Sequence, residues 1–377
     1  MEMDDKSDIN LNHFVEGKKK YTVPYLAQQW AKKYLQTIEF NSLYEDKQDH
    51  LNFKKIVSVE GREKTAQKLM ASLRTVSLQA WNKTETLLSE EVKRHRIDPK
   101  LINPWEITAD AFGIYEQVLH LYTQQILRQK LSTQLELAYQ GELESEKVQK
   151  MEADSSASTH LATVISTNVG TLRKKYTQTD PRVIGFVSMQ FHYTSLGLLQ
   201  TLSPLEQTAL GGYLKVIDDH LYMPLQRAYE AAGEHDYNSP ALAAVQKLLP
   251  ISTQIANKIC QKIIEIYPNY RSGSGLLREP RVQISSIRDV EMFQVYLWVC
   301  SLEGSINAIQ QELFPLCVML YPRLQVQWEL IRCMLHLLEQ EISQHLTTKE
   351  AITLTPYLQV LWHMFSPKVF GELVLER

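Results

Sequence analysis

The stretch SIRDVEMFQVYLWVCSLEGSINAIQQELFPLCVML, residues 286–320, decides the fold. A helix on a protein surface carries one apolar stripe, whereas a helix that is apolar on every side lies among other helices. Between Met292 and Leu302 only Gln294 and Ser301 are polar; Met292, Phe293, Val295, Tyr296, Leu297, Trp298, Val299, Cys300 and Leu302 point in every direction. Ser286 and Asp289 have the spacing of a capping box, which places the start of the helix near Ser286. The stretch predicts a buried central helix near 286–313 in an all-α, multi-helix bundle.

Outward from this post one local device recurs. Asn103-Pro104, Asp180-Pro181, Ser203-Pro204, Ser239-Pro240 and Ser366-Pro367 each set a capping side chain before a proline. The cap accepts a hydrogen bond from an unpaired amide, and proline at the first helical position gives up a donor that would have no partner anyway. Glu106 and Glu206 stand where a capping box would need them. Helical periodicity predicts helices at 24–40, 61–96, 159–176, 181–201, 204–233, 240–249, 252–267, 286–321, 323–346, 348–365 and 367–375. Alternating strand patterns are almost missing. The charged, small-residue segment GELESEKVQKMEADSSAS divides these helices. The expected organisation is a frayed tail at 1–20, an N-terminal helical domain at 21–140, a linker or hairpin tip at 141–158, and a C-terminal helical domain at 159–377.

Composition narrows the function classes. A formal charge of −3 argues against a general nucleic-acid binder, which carries a basic excess. The four cysteines, Cys260, Cys300, Cys317 and Cys333, form no C-x-x-C pair, so they read as buried thiols of a reducing compartment and not as zinc ligands. The acidic start MEMDDKSDINLNHF lacks the apolar core of a secretory signal, and no window reaches the ~18 apolar residues of a membrane span. A cytoplasmic location is expected.

Asp218-Asp219-His220 is the densest polar cluster. At about 100° per residue, Leu210, Leu214, Ile217 and Leu221 form a core stripe. Asp218 then lies to one side of it, His220 to the other, and Asp219 points away. Three such groups on a straight helix cannot chelate one ion, although Pro224 predicts a kink nearby. Paired Glu-x-x-His motifs of di-metal bundles are missing, since Glu116/His120 and Glu341/His345 are spaced by four. A D-D-x-x-D motif fails at Tyr222. His192, on an aromatic helix, can reach Asp218 if helices 181–201 and 204–222 form a hairpin. Gly211-Gly212 fits a close helix crossing better than a phosphate loop, because no following Lys-Ser/Thr is present.

The long break at 268–284 carries Arg271, Arg278 and Arg281, and ordered loops of this length often serve function. The basic runs Lys18–Lys20, Lys93–Arg96 and Arg173–Lys175 read as helix-end charges and solvated faces. RNA or membrane-surface binding through them would show steep salt dependence. Trp81, Trp105, Trp298, Trp328 and Trp362 fit helix-packing positions.

The phrases DPRVIGFVSMQFHYTS, DDHLYMPLQRAYEAA, SSIRDVEMFQVYLWVCSLEGSI, QQELFPLCVMLYP and LWHMFSPKVFG, between Arg182 and Phe370, resemble a family of soluble cyanobacterial proteins. The resemblance covers roughly the last half of the chain. It implies a photosynthetic bacterial setting and brings no catalytic residue or cofactor. The helical phycobiliproteins are a second comparison; the cysteine positions and the lack of a recognisable chromophore-attachment motif give it little support.

Two readings of function follow. The leading one is a non-catalytic helical interaction or scaffold protein with a protein partner or self-association, no cofactor and no metal. Its contact surface would lie around Asp218–Arg227 and the arginine loop. The alternative is a small-molecule- or metal-binding protein or enzyme with a pocket between helices 181–201, 204–233 and 286–313, lined by His192, Asp218, Asp219, His220 and Arg227.

Overall fold

The computed structural model describes residues 22–34, 47–123 and 162–370. The tail at 1–20 with Lys18–Lys20, the charged segment 141–158 and the end of the helix expected at 367–375 lie outside the described residues. Helix dominates those residues, and their one sheet is a two-stranded ladder of Arg271–Ser272 with Gly275–Leu276. The fold is all-α.

The cap–proline pairs open helical turns at all five places. Asn103 Oδ1 accepts from the Trp105 amide at 3.1 Å, Asp180 Oδ1 from Arg182 at 3.1 Å, and Ser239 Oγ from Leu242 at 3.4 Å. Ser203 and Glu206 exchange reciprocal bonds, the Ser203 amide to Glu206 Oε2 at 2.8 Å and the Glu206 amide to Ser203 Oγ at 3.4 Å. Asp98-Pro99 and the full capping box Thr347–Glu350 use the same chemistry at places the sequence reading passed over.

Two compact units emerge, one of them Ala27–Tyr222. Its spine is the helix Val59–Arg94, capped by Ser58, 36 residues long and so about 54 Å at the usual helical rise. Leu69, Leu73, Val76, Ala80 and Leu88 bury one stripe of it. Ile184–Gln200 and Pro104–Thr123 pack on this spine. Gly197 makes the first crossing possible, since a Cβ there would stand 2.5 Å from Val76 Cγ1. Pro204–Tyr222 pairs with Ile184–Gln200 as a hairpin, and Lys47–Val57 closes over it through Phe53, Val57 and Ala209. Helices from both sides of the charged segment 141–158 thus share one core.

The other unit includes everything from Met223. Its centre is Pro280–Glu303, in which every residue from Val290 to Leu302 is buried. Tyr296 and Trp298 are fully covered. Leu225–Gly233, Pro240–Leu248, Ser252–Ile266 and Thr348–Met364 surround it. The helix starts at Pro280 behind Glu279, so Ser286 is an interior residue and no cap. Ser-x-x-Asp spacing also occurs inside helices, and the proline supplies the stronger start. The helix expected to run to 321 ends at Gly304, which takes the left-handed conformation (φ 60°) that stops helices. A wide, π-type turn at Ala308–Leu313 then leads into Phe314–Leu320. The helix expected at 204–233 breaks at Pro224 (φ −77°, ψ 51°) into Pro204–Tyr222 and Leu225–Gly233.

Tryptophan placement follows the packing expectation with one exception. Trp81 and Trp298 are buried, and Trp328 stacks on Phe370 with ring centroids 4.2 Å apart. Trp105 is 82% exposed. Its place at the mouth of a helix, one residue after Pro104, leaves the ring outside the stripe formed by Ile107, Ala111, Ile114, Tyr115 and Val118.

Candidate functional site

Asp218, Asp219 and His220 are adjacent in sequence and serve three separate networks, all within the Ala27–Tyr222 unit. Asp218 faces Ile184–Gln200. Ser195 donates to its Oδ1 at 2.9 Å, and His192 Nδ1 lies 3.4 Å from its Oδ2. The hairpin thus joins His192 to Asp218. Behind Ser195, the Tyr115 hydroxyl lies 2.8 Å from Ser195 Oγ and donates to the Phe191 carbonyl at 2.7 Å. A Ser-His-Asp relay needs histidine between serine and carboxylate. Here the carboxylate is in the middle, so the serine meets a carboxylate and not the imidazole of a relay.

Asp219 is fully buried, which reverses the expectation that it points away from the core. Its outer side is covered by the helix at 22–34. The Tyr34 hydroxyl donates to Asp219 Oδ2 at 2.9 Å, Lys215 Nζ reaches both oxygens at 2.9 and 3.0 Å, and Lys33 Nζ lies 3.6 Å away. Burial pushes the carboxyl up, but the two ammonium groups and the hydroxyl outweigh it and hold it at about 2. Trp30 Nε1 in turn donates to Tyr34 at 2.6 Å, and Lys33 sits 3.5 Å from the Trp30 ring centre. Gly212 lets this helix approach, because a Cβ there would stand 3.1 Å from the Tyr34 carbonyl oxygen; Gly211 faces open space. One glycine of the pair therefore serves the crossing.

His220 turns to a third side. Ser166 Oγ lies 2.6 Å from its Nε2, and its Nδ1 lies 2.9 Å from the Val216 carbonyl. A carbonyl only accepts, so Nδ1 carries the proton and Nε2 accepts from the serine. Burial pushes the imidazole down to about 4 and keeps it neutral. Serine beside histidine suggests a nucleophile and its base. Both are buried, however, and the outer nitrogen meets a backbone carbonyl where a triad would place a carboxylate.

Arg227 belongs to the other unit. Its Nε and Nη2 bond Glu303 at 2.5 and 2.6 Å, its Nη1 bonds Glu312 at 2.6 Å, and the Tyr296 hydroxyl lies 3.4 Å from Glu312. The guanidinium thereby ties Leu225–Gly233 to the end of the central helix and to the wide turn after it. Of the residues named for the alternative site, His192, Asp218, Asp219 and His220 lie in one unit and Arg227 in the other.

The arginine loop is a docked hairpin. The Gly273 amide donates to the Leu324 carbonyl at 2.8 Å, and the Gln327 amide to the Tyr270 hydroxyl at 2.8 Å. Glu279 Oε1 accepts from the Leu276 amide at 3.0 Å, and its carboxylate fills the space a side chain at Gly275 (φ 134°) would need. Arg271, Arg278 and Arg281 are all exposed on this frame; Arg281 pairs with Glu279 at 3.2 Å.

Among the described residues no group of three or more His, Cys, Asp or Glu side chains is placed to hold a metal, and no helix is long and apolar enough to cross a membrane. Burial raises the thiols of Cys260 to about 12 and of Cys300 to about 11. Of the partners that sequence reading missed, Lys215 was legible as the residue one turn before Asp219. Tyr34, Ser166 and Glu312 come from distant segments and left no local signal.

No curated protein and no solved structure matches the chain. The cysteine positions gave a phycobiliprotein likeness little support, but the family model that matches is that of a phycobilisome protein. Residues 217–364 match the family model of the phycobilisome protein, which places the similarity within the same half that resembles cyanobacterial proteins.

Proposed function

We propose that this chain is a non-catalytic helical protein that assembles with the phycobilisome, the light-harvesting antenna named by the matched family, in the cytoplasm of a photosynthetic bacterium. The observation that carries the reading is the match over residues 217–364. The polar side chains support it from another direction. His192, Asp218, Asp219, His220 and Arg227 are engaged in bonds that position helices.

Arg271 and Arg278 are offered as the contact surface. Guanidinium groups are enriched where proteins meet, and a frame that is already rigid loses little entropy on docking. Sedimentation of a cyanobacterial extract containing the tagged chain tests the assignment. The chain should travel with intact phycobilisomes, and Arg271→Glu with Arg278→Glu should release it to the top of the gradient. A wild-type chain that stays at the top would refute the assembly role. A double variant that still travels with the antenna would refute the hairpin as its contact.

A further inference from the structure

We propose that the docked hairpin at 270–279 is a seat for an acidic protein surface, whose carboxylates pair with Arg271 and Arg278. This rests on the antenna reading and deepens it, because it names the chemistry the partner presents at that contact. The first observation is charge. Segments 265–284 and 320–332 are joined by the Gly273 amide on the Leu324 carbonyl and the Gln327 amide on the Tyr270 hydroxyl. Together they hold five arginines against three glutamates, in a chain whose formal charge is −3. Arg271 and Arg278 are exposed, and neither side chain makes a hydrogen bond or ion pair among the described residues.

The second observation is spacing. Arg271 stands opposite Leu276 in the ladder, and Arg278 follows two residues later. Paired Cα atoms lie about 5 Å apart and two residues span about 7 Å at most, so the two arginines leave the backbone within about 13 Å of each other. The frame beneath them is fixed. The Leu277 amide donates to the Tyr270 carbonyl at 3.2 Å, and Ser272 Oγ to the Gly275 carbonyl at 3.3 Å. Two cations held this close repel one another, and opposed carboxylates relieve that repulsion.

The third observation is residue type. No lysine occurs between 263 and 348, so every permanent cation of this stretch is an arginine. A guanidinium meets a carboxylate with two parallel hydrogen bonds and is enriched where proteins meet, whereas lysine is depleted there. A bilayer of anionic lipids attracts lysine as readily as arginine and would not select between them. Ile284, 64% exposed one helical turn after Arg281, adds an apolar contact. A protein partner can bury it, while a nucleic-acid backbone gains nothing from it.

The test uses the full chain with intact phycobilisomes, and Arg271→Lys with Arg278→Lys. A carbodiimide condenses an amine with a carboxylate it touches; the amide forms, and the water lost leaves on the carbodiimide as its urea. With no native lysine between 263 and 348, a link mapped to position 271 or 278 belongs to the introduced amine. At low salt this variant should travel with the antenna, and mass spectrometry should find one of these positions joined to Asp or Glu of an antenna protein. Arg271→Gln with Arg278→Gln should weaken co-sedimentation about tenfold or more, and rising salt should release the wild type. Unchanged thermal unfolding of the variants would show that the fold is kept. A lysine variant that travels with the antenna but is linked at 271 and 278 only to its own chain, or not at all, overturns the acidic seat and leaves the assembly reading standing. So does its release at low salt with the fold kept, since lysine preserves the charge, and so does release of the wild type by nuclease. A wild-type chain that stays at the top of the gradient overturns the assembly reading and this inference with it.

Discussion

His220 illustrates how burial converts a titratable side chain into a structural one. Its Nδ1–H donates to the Val216 carbonyl and its Nε2 accepts from Ser166, and burial opposes a second proton. The folded chain keeps it neutral down to about pH 4, while an unfolded histidine takes a proton near its ordinary value of 6.5. Between those values the unfolded state binds more protons, so stability rises with pH there and falls as the solution is acidified. Thermal unfolding should therefore drop between pH 7 and pH 5, with His220 contributing on the order of 1–3 kcal/mol. His220→Gln keeps the shape without the titration and should unfold with a flatter pH profile. Identical profiles for the two proteins would show that other groups set the acid sensitivity. At this scale the sequence was informative only locally. The i, i+4 pair Lys215–Asp219 can be read from one helix, but the burial of Asp219 depends on Tyr34, 185 residues away.

Elements were far easier to read. Proline behind a capping side chain marks a helix start through local chemistry, which is why all-α architecture was legible from five dipeptides. The same rule explains where the reading slipped. Glu279-Pro280 starts the central helix without a side-chain cap, so the spacing at Ser286 drew attention to the wrong residue. Helix contacts depend on what lies opposite and are harder to foresee. Gly197 looks like an ordinary interruption of Ile184–Gln200, yet it is the point where that helix meets Val76. Gly197→Ala should cost about 1–3 kcal/mol, because valine is stiff about χ1 and cannot easily yield. Adding Val76→Ala should recover part of the loss beyond the sum of the single changes. Urea unfolding of the two single variants and the double variant measures this coupling. Purely additive effects would mean that the helices separate without strain. Trp105 was misplaced for a related reason: its spacing was compatible with packing, and only the position of the helix mouth leaves it outside.

The molecule as a whole distributes its thiols unevenly, with all four cysteines in the unit that contains Met223 onward. Cys260, Cys300 and Cys317 are buried and Cys333 is partly exposed. Thiolate is the reactive form, and burial raises the pKa of each of these thiols. A disulfide reagent should modify Cys333 first under native conditions and the other three only as this unit opens, whereas all four should react at once in denaturant. Rapid native labelling of more than one site would contradict the packing around the central helix. The wide turn at Ala308–Leu313 also bears on descent. Such turns hold one residue more than an α-turn, so a relative shorter by one position there could retain both flanking helices. A single gap in an alignment would then mark a lost insertion within an unchanged architecture. Glu312, gripped by Arg227, lies inside that turn, and the extra residue and the arginine should be inherited or lost together.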